Sequence, residues 1–560
     1  MNKKRFFAVL LFLVLICLSA FGSPKYYSHD SAEYTLTKYI TEISGCNPPS
    51  SVTPVSGFSL LKTLSYVHEE RLSAELRSAL AELRMKLEHP DMPFTSDSFS
   101  GRLFINAAVE TYSGTDDDLK YGPDRFLIPY RKRASFLSAG GEGIWNNSFY
   151  GLFTFEMRKF IKLEPDGSMV KNECFPYLTT NLPIGGYASE QVTPLNAGMM
   201  AATDGVSFFI GRGPLNIGYG HTGNMIIADN FPFQDFVKFS LDSRYVDYDL
   251  TFTHFDQQNG SLSFEPWMTF GGKHQLRISH SYSFSIFDRV QISLTEATLV
   301  QSTSAFDLRM FNPFIFLHNW QGFNHGDMWA NNIAGLELSA ALGHGLTLDF
   351  QFVLDQIQLG SEVAATEDAK LLPNAMGVML SLSETFSVRN SIFRIYSEAV
   401  YTMPSLYLND LRPYGKSDTL NYDFILGYFN TSWFIGDIGY TGYVYGPDTI
   451  VVSLGSETMN VKSGDMASLS MLLRIHGQQG IRWNENLNEY ALTGKDNLWN
   501  LGLTGTKEYM LAVKGYYSKN ISDWLSLSAT AGWTFFQNYR NNEDVMHSEP
   551  QLSLTLKFHI

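Results

Sequence analysis

The chain has 560 residues, with 42 Phe, 29 Tyr and 9 Trp, so aromatics make up 14% and charged residues only 17%. Disordered chains carry few aromatics and nucleic-acid binders a basic balance. The formal net charge here is -15, so neither class fits, and no nucleic-acid partner is expected. Length favours several soluble domains, but barrels run longer as single units and stay open.

Lys3, Lys4 and Arg5 precede an apolar run from Phe6 to about Cys17, and Ser19-Ala20-Phe21-Gly22 ends the stretch in small residues. This is the pattern of a secretory signal peptide cut after Gly22, and the run is short for a hydrocarbon core of about 30 Å. Cleavage leaves Cys46 and Cys174, enough for one disulfide in an oxidising compartment but not for a disulfide scaffold. After the leader no segment has eighteen consecutive apolar residues, so an exported aromatic-rich chain is either soluble or a barrel whose membrane signal is spread over alternating strands.

Residues from about Asp30 to Glu88 read as helical. A first helix is predicted from Ser31 to Ile43, with Tyr34, Leu36, Tyr39, Ile40 and Ile43 as its apolar set, followed by a loop over Gly45 to Pro54. A second run extends from Ser59 to Pro90, with Leu72, Leu76, Leu80, Leu83 and Leu87 on one face and Pro90 as terminator.

From Gly101 the period changes to two. Leu552, Leu554, Leu556, Phe558 and Ile560 alternate with Gln551, Ser553, Thr555, Lys557 and His559. Leu469, Met471, Leu473 and Ile475 alternate likewise with Ser468, Ser470, Arg474 and His476, and Leu276, Ile278, His280, Tyr282, Phe284 and Ile286 share one side of another stripe. Several stripes last nine residues or more, the span a tilted membrane strand needs, whereas sandwich strands usually stop at about five or six. The predicted fold is all-β: a transmembrane antiparallel β-barrel of about 18 strands with an N-terminal α-helical domain. The expected divisions are 1–22 signal peptide, 23–95 N-terminal helical domain and 96–560 outer-membrane β-barrel. The C-terminal strand, apolar at every second position back from Ile560, resembles the signal read by the outer-membrane insertion machinery, although the usual last residue there is Phe.

Motifs for catalysis are missing. Gly211 to Gly220 is glycine-rich, but Pro214 interrupts it and no Gly-Lys-Ser/Thr closes it, so the phosphate-cradle context fails and a strand-end turn is predicted. Asp116, Asp117 and Asp118 lack the alternating ligands of a calcium loop. No H-E-x-x-H, G-x-S-x-G or C-x-x-C occurs, and the thirteen His are scattered. No enzyme, metal or cofactor is expected.

The segment from Phe209 to Leu241 resembles the most recognisable motif of the Wzi family of capsule-assembly outer-membrane proteins. Gly211 and Arg212 match its Gly-Arg pair; Gly218, Tyr219 and Gly220 its turn; Met225, Ile226 and Ile227 its apolar run; and Asn230, Phe231, Pro232 and Phe233 the element that follows. Asn312-Pro313 and Asn331-Asn332 resemble a second element, and the N-terminal helices are similar to the family's helical domain. Pro214 and Leu215 stand where the family is often aromatic. The resemblance implies a barrel with a periplasm-facing helical bundle that holds or helps assemble a surface polysaccharide, with outer-membrane lipid and the insertion machinery as further partners. Sugar recognition needs polar forks for hydroxyls and acidic groups and aromatic faces for rings. Arg212, Asn216, Tyr219, His221, Asn224, Asp229 and Asn230 offer these in one segment, with Trp320, Asn324 and His325 as a second set. The alternative is a porin-like channel for small solutes, since 16 to 18 strands can leave an aqueous lumen.

Overall fold

The computed structural model describes residues 22–114, 134–159, 180–183, 189–192, 196–230, 233–255, 274–302, 308–317, 329–365, 371, 373–407, 425–429, 436–478 and 495–559. Residues 1–21 of the expected leader, Cys174 and the second candidate set of Trp320, Asn324 and His325 lie outside them. Three helices precede the sheet: α1 (Ala32–Ser44), α2 (Gly57–Ser65) and α3 (Ala74–Glu88). Each begins at a serine, Ser31, Ser56 or Ser73, whose hydroxyl accepts a backbone N–H of the first turn, which satisfies one of the orphan donors there. Gly45, at φ 74°, ends α1 in the left-handed conformation, as a helix C-terminus commonly requires.

The predicted helix from Ser59 to Pro90 is therefore two helices. Tyr66 closes α2, and Ser73 competes for the backbone and opens α3. Leu72 lies between them and is still buried with Leu60, Leu64, Leu76, Leu80, Leu83 and Leu87 in one apolar cluster. Cys46 is buried as well, its thiol donating to the carbonyl of Tyr66.

The rest is a closed antiparallel barrel of 18 strands. Strands β1 (Phe99–Gly114), β2 (Leu137–Trp145) and β3 (Phe149–Lys159) are followed by β4, which runs in two pieces, Ser189–Val192 and Ala197–Thr203, both paired to β3. Then come β5 (Val206–Gly213), β6 (Gln234–Asp242), β7 (Val246–Phe255), β8 (His274–Ile286) and β9 (Val290–Ser302). The series continues through β10 (Trp329–Gly343), β11 (Leu346–Gln356), β12 (Ala375–Val388), β13 (Ser391–Thr402) and β14 (Thr449–Asn460). It ends with β15 (Met466–His476), β16 (Glu508–Ser522), β17 (Leu525–Gln537) and β18 (Met546–His559). Leu554 of β18 pairs with Thr111 of β1 and closes the cylinder, so among the described strands the barrel has no free edge, as lipid demands. Hairpin connections of two to five residues gather at one end and long connections at the other.

The period-2 stripes place their faces as expected. On β18, Leu552, Leu554 and Leu556 are 45%, 43% and 40% exposed, while Gln551 and Ser553 between them are 4% and 2%. Leu469, Met471 and Leu473 of β15 also face outward, and Arg474 faces in. Trp145, Trp524, Trp533 and Tyr517 lie exposed among this outer apolar surface, as interfacial aromatics do. One stripe departs. Leu276, Ile278 and His280 of β8 share the outer face, yet all three are buried; residues 309–317 fold over Ile278 and His280.

The helices engage the barrel. The Asn47 N–H donates to the carbonyl of Asp288 in the β8–β9 turn, which places the helices at the turn end. From there α1 enters the lumen: Tyr39 donates to Glu457 of β14, and Glu42 pairs with Arg394 of β13. The carbonyls of Val52 and Pro54 accept from the buried Lys238 ammonium, which also faces Asp249. The lumen-facing helix surface is thus polar because the inward faces of the strands are polar.

Candidate functional site

The segment between β5 and β6 turns inward at the loop end and meets α1 inside the barrel. Asn216 and Ile217 form a two-residue ladder with Thr53 and Val52. Leu215, Met225, Ile226 and Ile227 bury completely or nearly so in a lumen cluster with Phe209, Phe233 and Tyr407, and the apolar run therefore serves as an anchor. Polar contacts fix its course: Gln351 of β11 donates to Asn224 and accepts from the Met225 N–H, and Asn230 donates to the carbonyls of Tyr440 and Gly442. Gly218 has φ +129°, and a Cβ there would overlap Asn224 Oδ1 and Gln351 Nε2. Only glycine fits.

Between this segment, α1 and strands β13 to β17 lies a cavity of about 620 Å3, within the range of small-molecule sites, roughly 300 to 1,000 Å3. Asn216, Tyr219, His221, Asn224, Asp229 and Asn230 all line it. The cavity thus collects six of the seven candidate residues of this segment. Arg212 lies apart, paired through two 2.7 Å hydrogen bonds with Asp235 directly across the ladder and stacked 4.0 Å from the Phe233 ring. Trp320 lies outside the described residues.

The six differ in what they leave available. Asn216 and Asn224 hydrogen-bond each other, and Asn230 is spent on carbonyls. The Tyr219 hydroxyl lies 2.5 Å from the Pro49 carbonyl and 2.7 Å from Gln291 Oε1, and burial pushes its pKa well above the usual tyrosine value. These side chains shape the wall. His221 is different: its backbone N–H donates to Glu398 at 2.7 Å, its ring stacks on Tyr396 with centroids 3.8 Å apart and planes 2° from parallel, and its Nε2 has no hydrogen-bond partner among the described residues. Burial, then the Arg394 and Lys38 charges, hold its pKa well below 6.5, so near neutral pH it is an uncharged imidazole. Asp229 faces His29 at 3.5 Å.

No sequence motif marks Lys38, Arg394, Tyr396 or Glu457, and Tyr39 is expected only as an apolar helix residue, yet all five also line the cavity. The Lys38 ammonium sits 4.9 Å above the Tyr219 ring and makes no ion pair among the described residues. Burial, and next the Arg394 charge, lower its pKa. The readable trace was that Lys38 follows Tyr34 by four positions and so shares its helix face; nothing local ties it to Arg394 or Glu457. A wall of stacked ring, ammonium, guanidinium, carboxylate and tyrosines is suited to binding a hydroxyl-rich ligand, with rings for apolar sugar faces and charged donors for its oxygens.

No family model and no curated protein sequence matches the chain. Among solved structures it is similar to Wzi of Escherichia coli, described as a carbohydrate-binding β-barrel of the outer membrane involved in group 1 capsule assembly. The TM-score is 0.55 at 12% identity, over 96% of this chain and 99% of that one. OccAB1 of Acinetobacter baumannii (TM-score 0.38, 8% identity, 84% and 99% covered) and OprD of Pseudomonas aeruginosa (0.37, 9%, 82% and 95%) are more remote. The likeness to Wzi is one of fold, and the closed 18-strand cylinder with its oily outer belt is that of an outer-membrane protein.

Proposed function

We propose that this barrel holds a surface, capsule-like polysaccharide, or assists its assembly, without catalysing a reaction. The observation that carries the reading is the lumen cavity, where six candidate residues, among them His221 stacked on Tyr396, line one wall with the Lys38 ammonium. The carbohydrate binding of the Wzi barrel, whose fold the chain shares, supports the same reading. In this view residues 1–22 are a leader removed on export, and residues 23–95 close the barrel from a periplasmic turn end. The barrel occupies residues 96–560, and its terminal strand presents the signal for the insertion machinery. A porin-like role is the less favoured reading, because α1 and the β5–β6 segment both occupy the lumen.

The test is retention of fluorescently labelled capsular polysaccharide from the producing cell by the purified barrel, with His221→Ala/Tyr396→Ala beside the parent. Retention by the parent and its loss in the variant, with unchanged heat-dependent mobility on electrophoresis, is the expected result. Steady conductance of the parent in a planar bilayer without polysaccharide retention would replace the reading with a channel.

A further inference from the structure

On the outer wall of β7 to β10 the sequence puts polar side chains where lipid should be. His280 of β8 and Glu296 of β9 are Cα partners, and both lie on the outward face of their strands with Ile286 and Leu294. Counted from the turn end, each is the fourth outward residue of its strand. The fourth outward residues of β12 and β18 are Leu382 and Leu552, both exposed in the apolar belt. A carboxylate and an imidazole at that height would be costly against hydrocarbon.

Residues 309–317 remove that cost. The Met310 carbonyl can only accept, so His280 Nε2 donates to it at 3.0 Å while Nδ1 accepts from the Tyr248 hydroxyl at 2.9 Å. Glu296 accepts from the Leu317 N–H at 2.8 Å and from Asn332 Nδ2 at 2.9 Å, and the Tyr282 hydroxyl donates to the Pro313 carbonyl. Met310 and Leu317 bury with Tyr248, Leu250, Ile278 and Val300, and Phe311 stacks on Phe252 at 5.5 Å. The opposite side of the segment carries Phe314 and Phe316, which are 86% and 71% exposed. Below them the same wall exposes Phe284, Ile286 and Leu294, so the two rings extend the lipid-contacting belt.

We propose that residues 309–317 form a strap embedded in the membrane, hydrogen-bonded inward to the His280–Glu296 pair and inserting Phe314 and Phe316 among lipid acyl chains. The belt's continuity with the two rings chooses lipid over a second copy of the chain as the occupant.

The test uses the full chain with Cys17, Cys46 and Cys174 changed to serine, reconstituted in phosphatidylcholine vesicles. Single variants Phe314→Cys and Phe316→Cys carry a bimane label, with Leu554→Cys as the belt reference and Glu75→Cys as the aqueous reference. Heat-dependent mobility checks each fold, and either strap position alone suffices if the other variant fails to fold. Vesicles of acyl-brominated lipid should cause a fluorescence loss at 314 and 316 equal to that at 554, with no loss on adding iodide. Iodide quenching at the level of position 75 would overturn the proposal. So would protection from both quenchers, and crosslinking of Phe314→Cys chains would then assign the face to a second copy.

Discussion

Arg394 reaches from the barrel wall to the helix inside it, Nη2 donating to Glu42 Oε1 at 3.0 Å while Thr385 Oγ1 donates to Glu42 Oε2 at 2.6 Å. Both partners of the ion pair are almost fully buried. Removing one partner of a buried pair strands the other charge and typically costs about 3–5 kcal/mol, whereas replacing both with apolar groups is often close to neutral. Glu42→Ala should therefore lower the urea midpoint of the folded barrel by that order, and Glu42→Met/Arg394→Met should recover most of the loss. Equal loss in both variants would mean that packing of α1, not the charge pair, sets its hold.

The His221 imidazole gives the lumen a predicted acid sensitivity. Its pKa in the fold is depressed, so the unfolded segment binds a proton more readily. The associated stability is fully present above about 6.5 and is lost as pH falls below that value toward the depressed one, by at most about 1.4 kcal/mol per pH unit for one proton. Thermal unfolding followed between pH 7 and pH 5 should show this step in the parent and not in His221→Gln. An identical pH profile in the two proteins would remove His221 as its source.

The strand faces were legible because period 2 is a local signal: Leu552 to Leu556 stand out against Gln551 and Ser553 in the sequence and in space alike. The stripe through Leu276, Ile278 and His280 was legible as a face, but its cover was not, since the strap arrives from beyond β9. His280 within an apolar stripe was the one visible irregularity. The cavity was half legible. One glycine-rich segment supplies six candidate residues of its lining, whereas Tyr39 and Glu457 are 418 positions apart, and only closure of the barrel brings them together. Arg212 read as a free polar fork because its partner Asp235 lies across a ladder that composition alone does not reveal.

Leu554 and Ser553 are neighbours with opposite surroundings, which makes the membrane placement testable by charge. A Lys or Arg on the lipid face of a barrel costs about 2–4 kcal/mol at mid-bilayer and much less near the interfaces. Leu554→Arg should destabilise the barrel by that order in lipid vesicles, measured by urea unfolding, while Ser553→Ala stays within about 0.5 kcal/mol as an ordinary mild substitution. A neutral Leu554→Arg would place β18 outside the hydrocarbon.

Gly218 joins the loop course to the closure of the lumen. Its φ of +129° is strongly disfavoured for any side chain, and a Cβ would overlap Asn224 and Gln351, the pair that fixes the segment to β11. Gly218→Val should therefore displace residues 216–225 from the wall without touching a ladder pairing of the barrel, whose strands end at Gly213 and resume at Gln234. Two consequences should appear together: polysaccharide retention falls because His221 leaves Tyr396, and planar-bilayer conductance rises because one of the two lumen-filling elements has moved. Heat-dependent mobility should stay unchanged. If retention fell but the bilayer stayed silent, α1 alone would suffice to seal the pore, and the segment's role would be confined to the ligand.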